Sequence, residues 1–363
     1  MDTNLILAKS EKLIPLTKEE AIHIYKNCST EVLASVANRI REKIKKGNSL
    51  VTWQIDRNVN ITNVCVSGCL FCNFHCKPHE HDKEKTTTLE EYREKIKETL
   101  ELGGDQLLLQ GGMHPKFDIF YYENLFRQLK AEFPNIKLHA LGPPEVSHIA
   151  KISNLTSIEV LKRLINAGLD SFPGAGAEIL VSDIRKKVSP NKCTAEQWIE
   201  IMHEAHELGL ATSATMMYGH IESLEDRIEH LIKIRELQAR KPKGSYGFLA
   251  FIPWVYCGKG TALEAKGIKE NHSIIDYIRI IAMSRIVLTN IENIQASWLT
   301  LGKEAGQLSL HAGANDLGSI MIEENVVSSA GASFKMGVEE MQQTIRDAGF
   351  TPQLRDQKYN FRD

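Results

Sequence analysis

The chain has 363 residues, 44 Lys and Arg against 46 Asp and Glu, a formal net charge of -2, and 42% hydrophobic against 25% charged residues. That composition excludes a disordered chain, and the balanced charge gives no general electrostatic case for nucleic acid or an anionic membrane as a partner. Seven cysteines are too sparse, and odd in number, for a disulfide scaffold; no run approaches the roughly 18 apolar residues that span a bilayer.

In chain order, the opening MDTNLILAKSEKLIPL has only a short apolar stretch, with Asp2 where a signal peptide would carry positive charge. The expectation is a cytoplasmic protein whose thiols stay reduced. Helix starts then recur as a Ser or Thr followed three residues later by an acidic or amide side chain: Thr17 with Glu20, Thr88 with Glu91, Thr156 with Glu159, Thr194 with Gln197, Ser223 with Asp226 and Ser273 with Asp276. Gly103-Gly104, Gly168 and Gly209 stop three of these helices. Between the helices lie short apolar runs that read as strands: 61–64, 106–109, 136–141, 169–172, 212–217, 247–252, 294–298 and 309–312. Strand and helix alternate with no Pro/Ser linker, the pattern of a parallel sheet with crossover helices. Eight strand–helix units suit a closed (β/α)8 TIM-type barrel better than an open doubly wound sheet, although periodicity alone leaves the open form standing. A helix over 17–46 would precede the barrel. The expected division is a helical extension over 1–50, the barrel over 51–320, and a C-terminal extension over 321–363 packed on it, in a single structural domain.

Glycine and polar residues gather just after the proposed strands, at Gln110-Gly111-Gly112-Met113-His114, at Pro173-Gly174-Ala175-Gly176-Ala177-Glu178, and at Tyr218-Gly219-His220-Ile221-Glu222. In parallel α/β proteins the carboxyl ends of strands carry the active site. Directly after the first proposed strand, Cys65, Cys69 and Cys72 form a C-x3-C-x2-C run. Thiolate is the soft ligand of iron–sulfur clusters, and three thiolates leave one iron of a [4Fe–4S] cube open to a substrate or cosubstrate. The competing reading is a zinc knuckle completed by Cys76 with His75, His79 or His81. Cys76 as a fourth cluster ligand would close the open iron. Cys28, Cys193 and Cys257 read as inert thiols.

C-x3-C-x2-C after the first barrel strand resembles the radical S-adenosylmethionine superfamily. The segments DRNVNITNVC, LLLQGGMHP, LHALGPPE, AGLDSFPGAGAEIL, TSATMMYGHIE, FLAFIPW, NIQASW and GANDLGSIMIEENVVSSAG extend the likeness to its menaquinone- and deazaflavin-pathway group, over roughly 53–355. The resemblance implies a [4Fe–4S] cluster whose open iron is chelated by S-adenosylmethionine; the reduced cluster cleaves the sulfonium to a 5′-deoxyadenosyl radical. It implies Phe71 beside the adenine, and Gly111 and Gly112 presenting backbone to the methionine ammonium, where a side chain would block the approach. Glu178 and Glu222 are candidates for holding the ribose hydroxyls or the methionine. CNFHCKPHEH departs from the general motif in its additional Cys76 and three histidines; the match to the three-cysteine motif implies that Cys76 is a bystander.

Within that group the segments favour the ring-closing member, which acts on dehypoxanthine futalosine: the radical takes the C4′ hydrogen of a ribose and the carbon radical closes onto a benzoate ring. The sister reactions of aminofutalosine synthase and FO synthase share the cluster and barrel. The implied partners are that small molecule and an electron donor such as flavodoxin or ferredoxin. Three contacts follow as expectations. Arg285 would hold the benzoate carboxylate, a match for its planar fork. His114 would donate to the ribose or act as a base, and Asp316 would remove the ring proton.

Overall fold

The computed structural model describes residues 1–332 and 334–362. Its first strands, β1 (Leu50–Gln54) and β2 (Asp56–Asn60), are one extended run interrupted at Ile55. β2 begins a parallel sheet that continues in chain order through β3 (Gln106–Gln110), β4 (Lys137–Ala140), β5 (Ser171–Phe172), β6 (Ala211–Tyr218), β7 (Gly247–Val255) and β8 (Asn293–Ile294). β9 (Asp316–Ser319) pairs in parallel with β1 and bridges to β8 between Gln295 and Asp316. Past β9, the amides of Ile320 and Ile322 donate to the carbonyls of Gln54 and Asp56. β9 therefore closes the ring between β8 and the β1–β2 run, and the fold is a (β/α)8 barrel built from β2 to β9.

Two strands differ from the sequence expectation. Residues 309–312 end the helix Lys303–Leu310 and its turn, and the eighth strand lies just beyond, at Asp316–Ser319. The first barrel strand is Asp56–Asn60, while 61–64 form the bridged loop that leads into the cysteines.

The capping reading holds closely. Thr17, Thr88, Thr156, Thr194 and Ser223 each form a reciprocal box with the residue three further on. Ser273 accepts from the Asp276 amide, and its hydroxyl meets the Asp276 carboxylate. The expected N-terminal helix is two, Lys18–Asn27 and Thr30–Ile44, broken at Cys28-Ser29 and preceded by a third at Thr3–Glu11. They dock on the outer helices: Lys18 and Lys26 reach Glu229 and Glu225 at 2.7 and 2.6 Å, and Arg279 donates to the Cys28 carbonyl and the Thr30 hydroxyl.

The C-terminal residues complete the barrel. β10 (Thr351–Leu354) pairs with β1 on the side away from β9. The chain then crosses the amino-terminal end of the barrel, where Gln357 meets Gln106 and His139 at 3.3 and 3.5 Å and Arg362 pairs with Asp105 at 3.1 Å. The opposite end carries the loops that follow the strands.

Candidate active site

The loop after β2 is pinned at both flanks. The Cys65 amide donates to the Cys76 carbonyl, and the Cys76 amide to the Asn63 carbonyl. Between these anchors Cys65, Cys69 and Cys72 all line one cavity of about 350 Å3 at the carboxyl ends of the strands. The Cys65 sulfur receives the Met113 and Ser67 amides at 3.3 and 3.4 Å and lies 2.9 Å from the Ser67 hydroxyl. Burial pushes the Cys69 thiol up, with Lys192 working the other way.

Cys76 turns away from this cavity and meets Asn63 Oδ1 at 3.3 Å. His75 lines the cavity with Nδ1 2.8 Å from the Cys72 carbonyl, whereas His79 and His81 do not line it. Among the described residues no three His, Cys, Asp or Glu side chains converge on one ion-sized point, as a zinc knuckle requires. A cube takes one thiolate per iron, so three thiols spaced around a shared cavity fit a cluster without such convergence.

Gly111 and Gly112 lie against the loop itself. A Cβ on Gly112 would stand 2.2 Å from the Val64 carbonyl oxygen and 3.0 Å from the Cys65 Cβ; one on Gly111 would meet the Thr62 backbone at 2.8 Å. The two glycines let the end of β3 pack directly on the backbone that presents Cys65, and both line the cavity. Phe71 lines it too, with the Lys192 ammonium 5.5 Å above its ring.

Glu178 lies in the cavity wall in a left-handed conformation, φ 42°, which costs a non-glycine residue energy. It pairs with Lys192 at 2.7 Å and Arg185 at 3.2 Å. Burial opposes its charge, yet these two cations hold its carboxyl below the usual range. Glu145, at the start of the helix Pro143–Ser153, faces the same space, and burial pushes it up to about 7. Sequence reading missed Lys192 and Glu145; the signal for Glu145 was a carboxylate directly after a strand in LGPPE.

The other expected residues are placed elsewhere, and each for a physical reason. The Glu222 side chain is buried beyond the cavity: it accepts from the Gly219 and His220 amides and pairs with Arg227 at 2.6 Å, closing the turn after β6. Arg285 is 0% exposed and donates to the carbonyls of Gly313 and Glu292 and to Asn315 Oδ1, so its fork is taken up by acceptors of the barrel itself. His114 folds into its own loop, accepting from the Lys116 amide and stacking on Phe117 at 3.7 Å. Asp316 is 0% exposed at the start of β9, bound by Arg355, the Thr52 hydroxyl and the Gly318 amide. None of the four lines the cysteine cavity.

That cavity continues inward. A deeper one of about 180 Å3 shares Leu108, His139, Ser213, Ile252, Trp254 and Met321 with it and reaches Gln54, Asp56, Arg355, Gln357 and Tyr359 near the barrel floor.

Comparison with known proteins agrees with this geometry. The Radical SAM superfamily model matches residues 59–234, and the model of the CofH/MqnC C-terminal region matches residues 245–363. The chain belongs to the radical SAM superfamily, in the branch that includes the cyclic dehypoxanthine futalosine synthases. The enzyme of that name from Streptomyces coelicolor is 44% identical over 95% of this chain and 85% of its own length, and that of Halalkalibacterium halodurans 41% identical over 95% and 90%. A 5-amino-6-(D-ribitylamino)uracil–L-tyrosine 4-hydroxyphenyl transferase of Methanococcoides burtonii is 38% identical over 94% of the chain and 95% of its own. Among solved structures, methylornithine synthase superposes with a TM-score of 0.71 over 97% of this chain and 98% of its own at 18% identity, which shows the shared barrel. The cofactors of this superfamily are a [4Fe–4S] cluster and S-adenosylmethionine, and the residues around the cavity fit both.

Proposed function

We propose that this chain converts dehypoxanthine futalosine to its cyclic form. The observation that carries the reading is the 44% identity with the Streptomyces coelicolor synthase over nearly the whole chain, joined to a cysteine cavity that continues into a second chamber between the barrel strands. Cys65, Cys69 and Cys72 would hold the cluster, which with bound S-adenosylmethionine would supply a primary carbon radical able to abstract hydrogen from an unactivated C–H.

The chain's own residues do the rest. Gly111 and Gly112 bring the backbone after β3 against the cluster loop, and Phe71 flanks the adenine. Glu178, fixed by Lys192 and Arg185, presents its carboxylate to hydroxyl or ammonium groups of the cosubstrate. The barrel wall holds the substrate ribose C4′–H toward the cysteine end and the benzoate ring within reach of the carbon radical. Enclosure by Ile252, Trp254 and Met321 keeps water from that radical. Positioning is the main contribution, because intramolecular ring closure needs only the right geometry.

Over one turnover the C4′–H and one ring C–H break and one C–C bond forms. In balance, the substrate and S-adenosylmethionine would give the cyclic product, 5′-deoxyadenosine carrying the C4′ hydrogen, methionine from the broken C5′–S bond and one proton, the two-electron oxidation of the substrate matching the reductive cleavage of the sulfonium. A low-potential donor such as flavodoxin or ferredoxin supplies the starting electron. The test is the reconstituted protein with S-adenosylmethionine, a reductant and each of two substrate sets, dehypoxanthine futalosine or tyrosine with 5-amino-6-(D-ribitylamino)uracil. Consumption of the first set alone is expected; consumption of the second alone would place the chain with the transferases.

A further inference from the structure

Strand β2 reads Asp56-Arg57-Asn58-Val59-Asn60. Side chains alternate across a strand, so Asp56, Asn58 and Asn60 share one side. Asp56 lines the deep chamber and Asn58 the cysteine cavity. Both are 3% exposed. Asp56 Oδ2 accepts from the amide groups of Gln54 and Gln106 at 2.8 and 3.2 Å, whereas its Oδ1 has no partner. Asn58 Oδ1 has none either. A buried acceptor without a donor is costly, and here two stand on successive positions of one side of a strand, both facing the connected chambers.

Strand register places Asn58 beside Leu108 and Leu108 beside His139, which lines both chambers. The ladder thus lies at the junction, where the wall contributed by β7 and its neighbours is apolar: Ile252, Trp254, Leu299 and Met321. Among the described residues that line the deep chamber, the guanidinium is that of Arg355, which is committed to Asp316 and Gln54. Open acceptors facing an apolar wall suit a ligand that donates hydrogen bonds along one edge and is hydrophobic along the other.

We propose that Asp56 and Asn58 are positioning residues that accept hydrogen bonds from the sugar hydroxyls of the substrate, setting which C–H faces the cysteine end while the aromatic ring rests on Trp254 and Met321. This rests on the ring-closing reading above and adds to it the site that orients the sugar.

The test is binding of dehypoxanthine futalosine, and of its 2′-deoxy and 3′-deoxy analogues, to the cluster-loaded protein with S-adenosylmethionine and no reductant, followed by turnover. In the unaltered protein, removing a recognised hydroxyl should weaken binding roughly tenfold. Asn58→Leu should weaken the parent substrate by a similar factor but show no added penalty with the analogue that lacks the hydroxyl Asn58 binds. Asn58→Asp, which keeps the acceptor, should restore affinity. In turnover Asn58→Leu should release more 5′-deoxyadenosine per product, because a misplaced C–H is missed. A purely structural role would lower all substrates equally and leave that ratio unmoved, which would overturn the proposal. If Asn58→Leu fails to fold, the two deoxy analogues on the unaltered protein decide, and undiminished binding of both overturns it. Absence of parent-substrate binding would remove the ring-closing reading together with the subsite; tight binding indifferent to the hydroxyls would remove the subsite alone.

Discussion

Arg355 holds Asp316 through two bonds, Nε to Oδ2 at 2.6 Å and Nη2 to Oδ1 at 3.0 Å, with the side chains 2% and 0% exposed. The pair joins the residue after β10 to the first residue of β9, so the C-terminal chain is tied to the strand that closes the barrel. Removing one member of a buried pair strands the other charge, at about 3–5 kcal/mol. Arg355→Leu should lower stability by that order in a denaturant melt of the cluster-loaded protein.

The same geometry assigns Asp316 to the barrel and not to proton transfer. Asp316→Asn should lower the melting temperature, yet the folded fraction should make product and 5′-deoxyadenosine in the normal ratio. A stable Asp316→Asn protein that cleaves S-adenosylmethionine and forms no product would restore Asp316 as the base.

Cys65→Ser, Cys69→Ser and Cys72→Ser should each lose most cluster iron and all formation of 5′-deoxyadenosine. Cys76→Ser should keep both, because the Cys76 sulfur faces Asn63 and not the cavity. Iron and sulfide analysis of anaerobically purified variants makes the comparison.

Gly112→Ala places a methyl group 2.2 Å from the Val64 oxygen. Backbone must move, at a cost of about 1–3 kcal/mol, and what moves is the loop that presents Cys65. Lower iron occupancy than in the unaltered protein is expected even where the barrel remains folded, read as iron per chain alongside a far-ultraviolet circular dichroism spectrum.

Three buried histidines set an acid limit. Burial pushes His139, His206 and His230 each down to about 3, against 6.5 for a free imidazole. The folded form holds them neutral while the unfolded chain protonates them, so the stability they contribute is full above pH 6.5 and falls as pH drops from there toward 3. Each proton is worth about 1.4 kcal/mol per pH unit inside that window. Glu145, pushed up to about 7, acts the other way and offsets about one proton between 4.5 and 7. Urea melts should show a net loss of stability from pH 6.5 to 5, with a shallower slope for His206→Gln.

Much of this was legible in the sequence because local chemistry and fold agree there. The caps at Thr88, Thr156 and Thr194 set helix starts, and alternation of strand and helix gave the barrel. Cys65, Cys69 and Cys72, with Gly111 and Gly112, marked its functional end. The misplacements share a cause. Asp56–Asn60 is less apolar than 61–64 because its inner side, with Asp56 and Asn58, is polar where it lines the two chambers. Asp316–Ser319 is too short and too uniformly buried to alternate. Arg285 and Asp316 suit a carboxylate fork and a base by residue type alone, but their partners, the Gly313 carbonyl and Arg355, lie 28 and 39 residues away in the chain. Lys192 reaches the cavity only through the fold.

The most direct test of the account is mass spectrometry of the products formed by the anaerobically reconstituted protein from dehypoxanthine futalosine deuterated at C4′. The account predicts a cyclic product lacking the label and one hydrogen of the ring, with the deuterium carried in an equal amount of 5′-deoxyadenosine. Unlabelled 5′-deoxyadenosine with the substrate intact would contradict it.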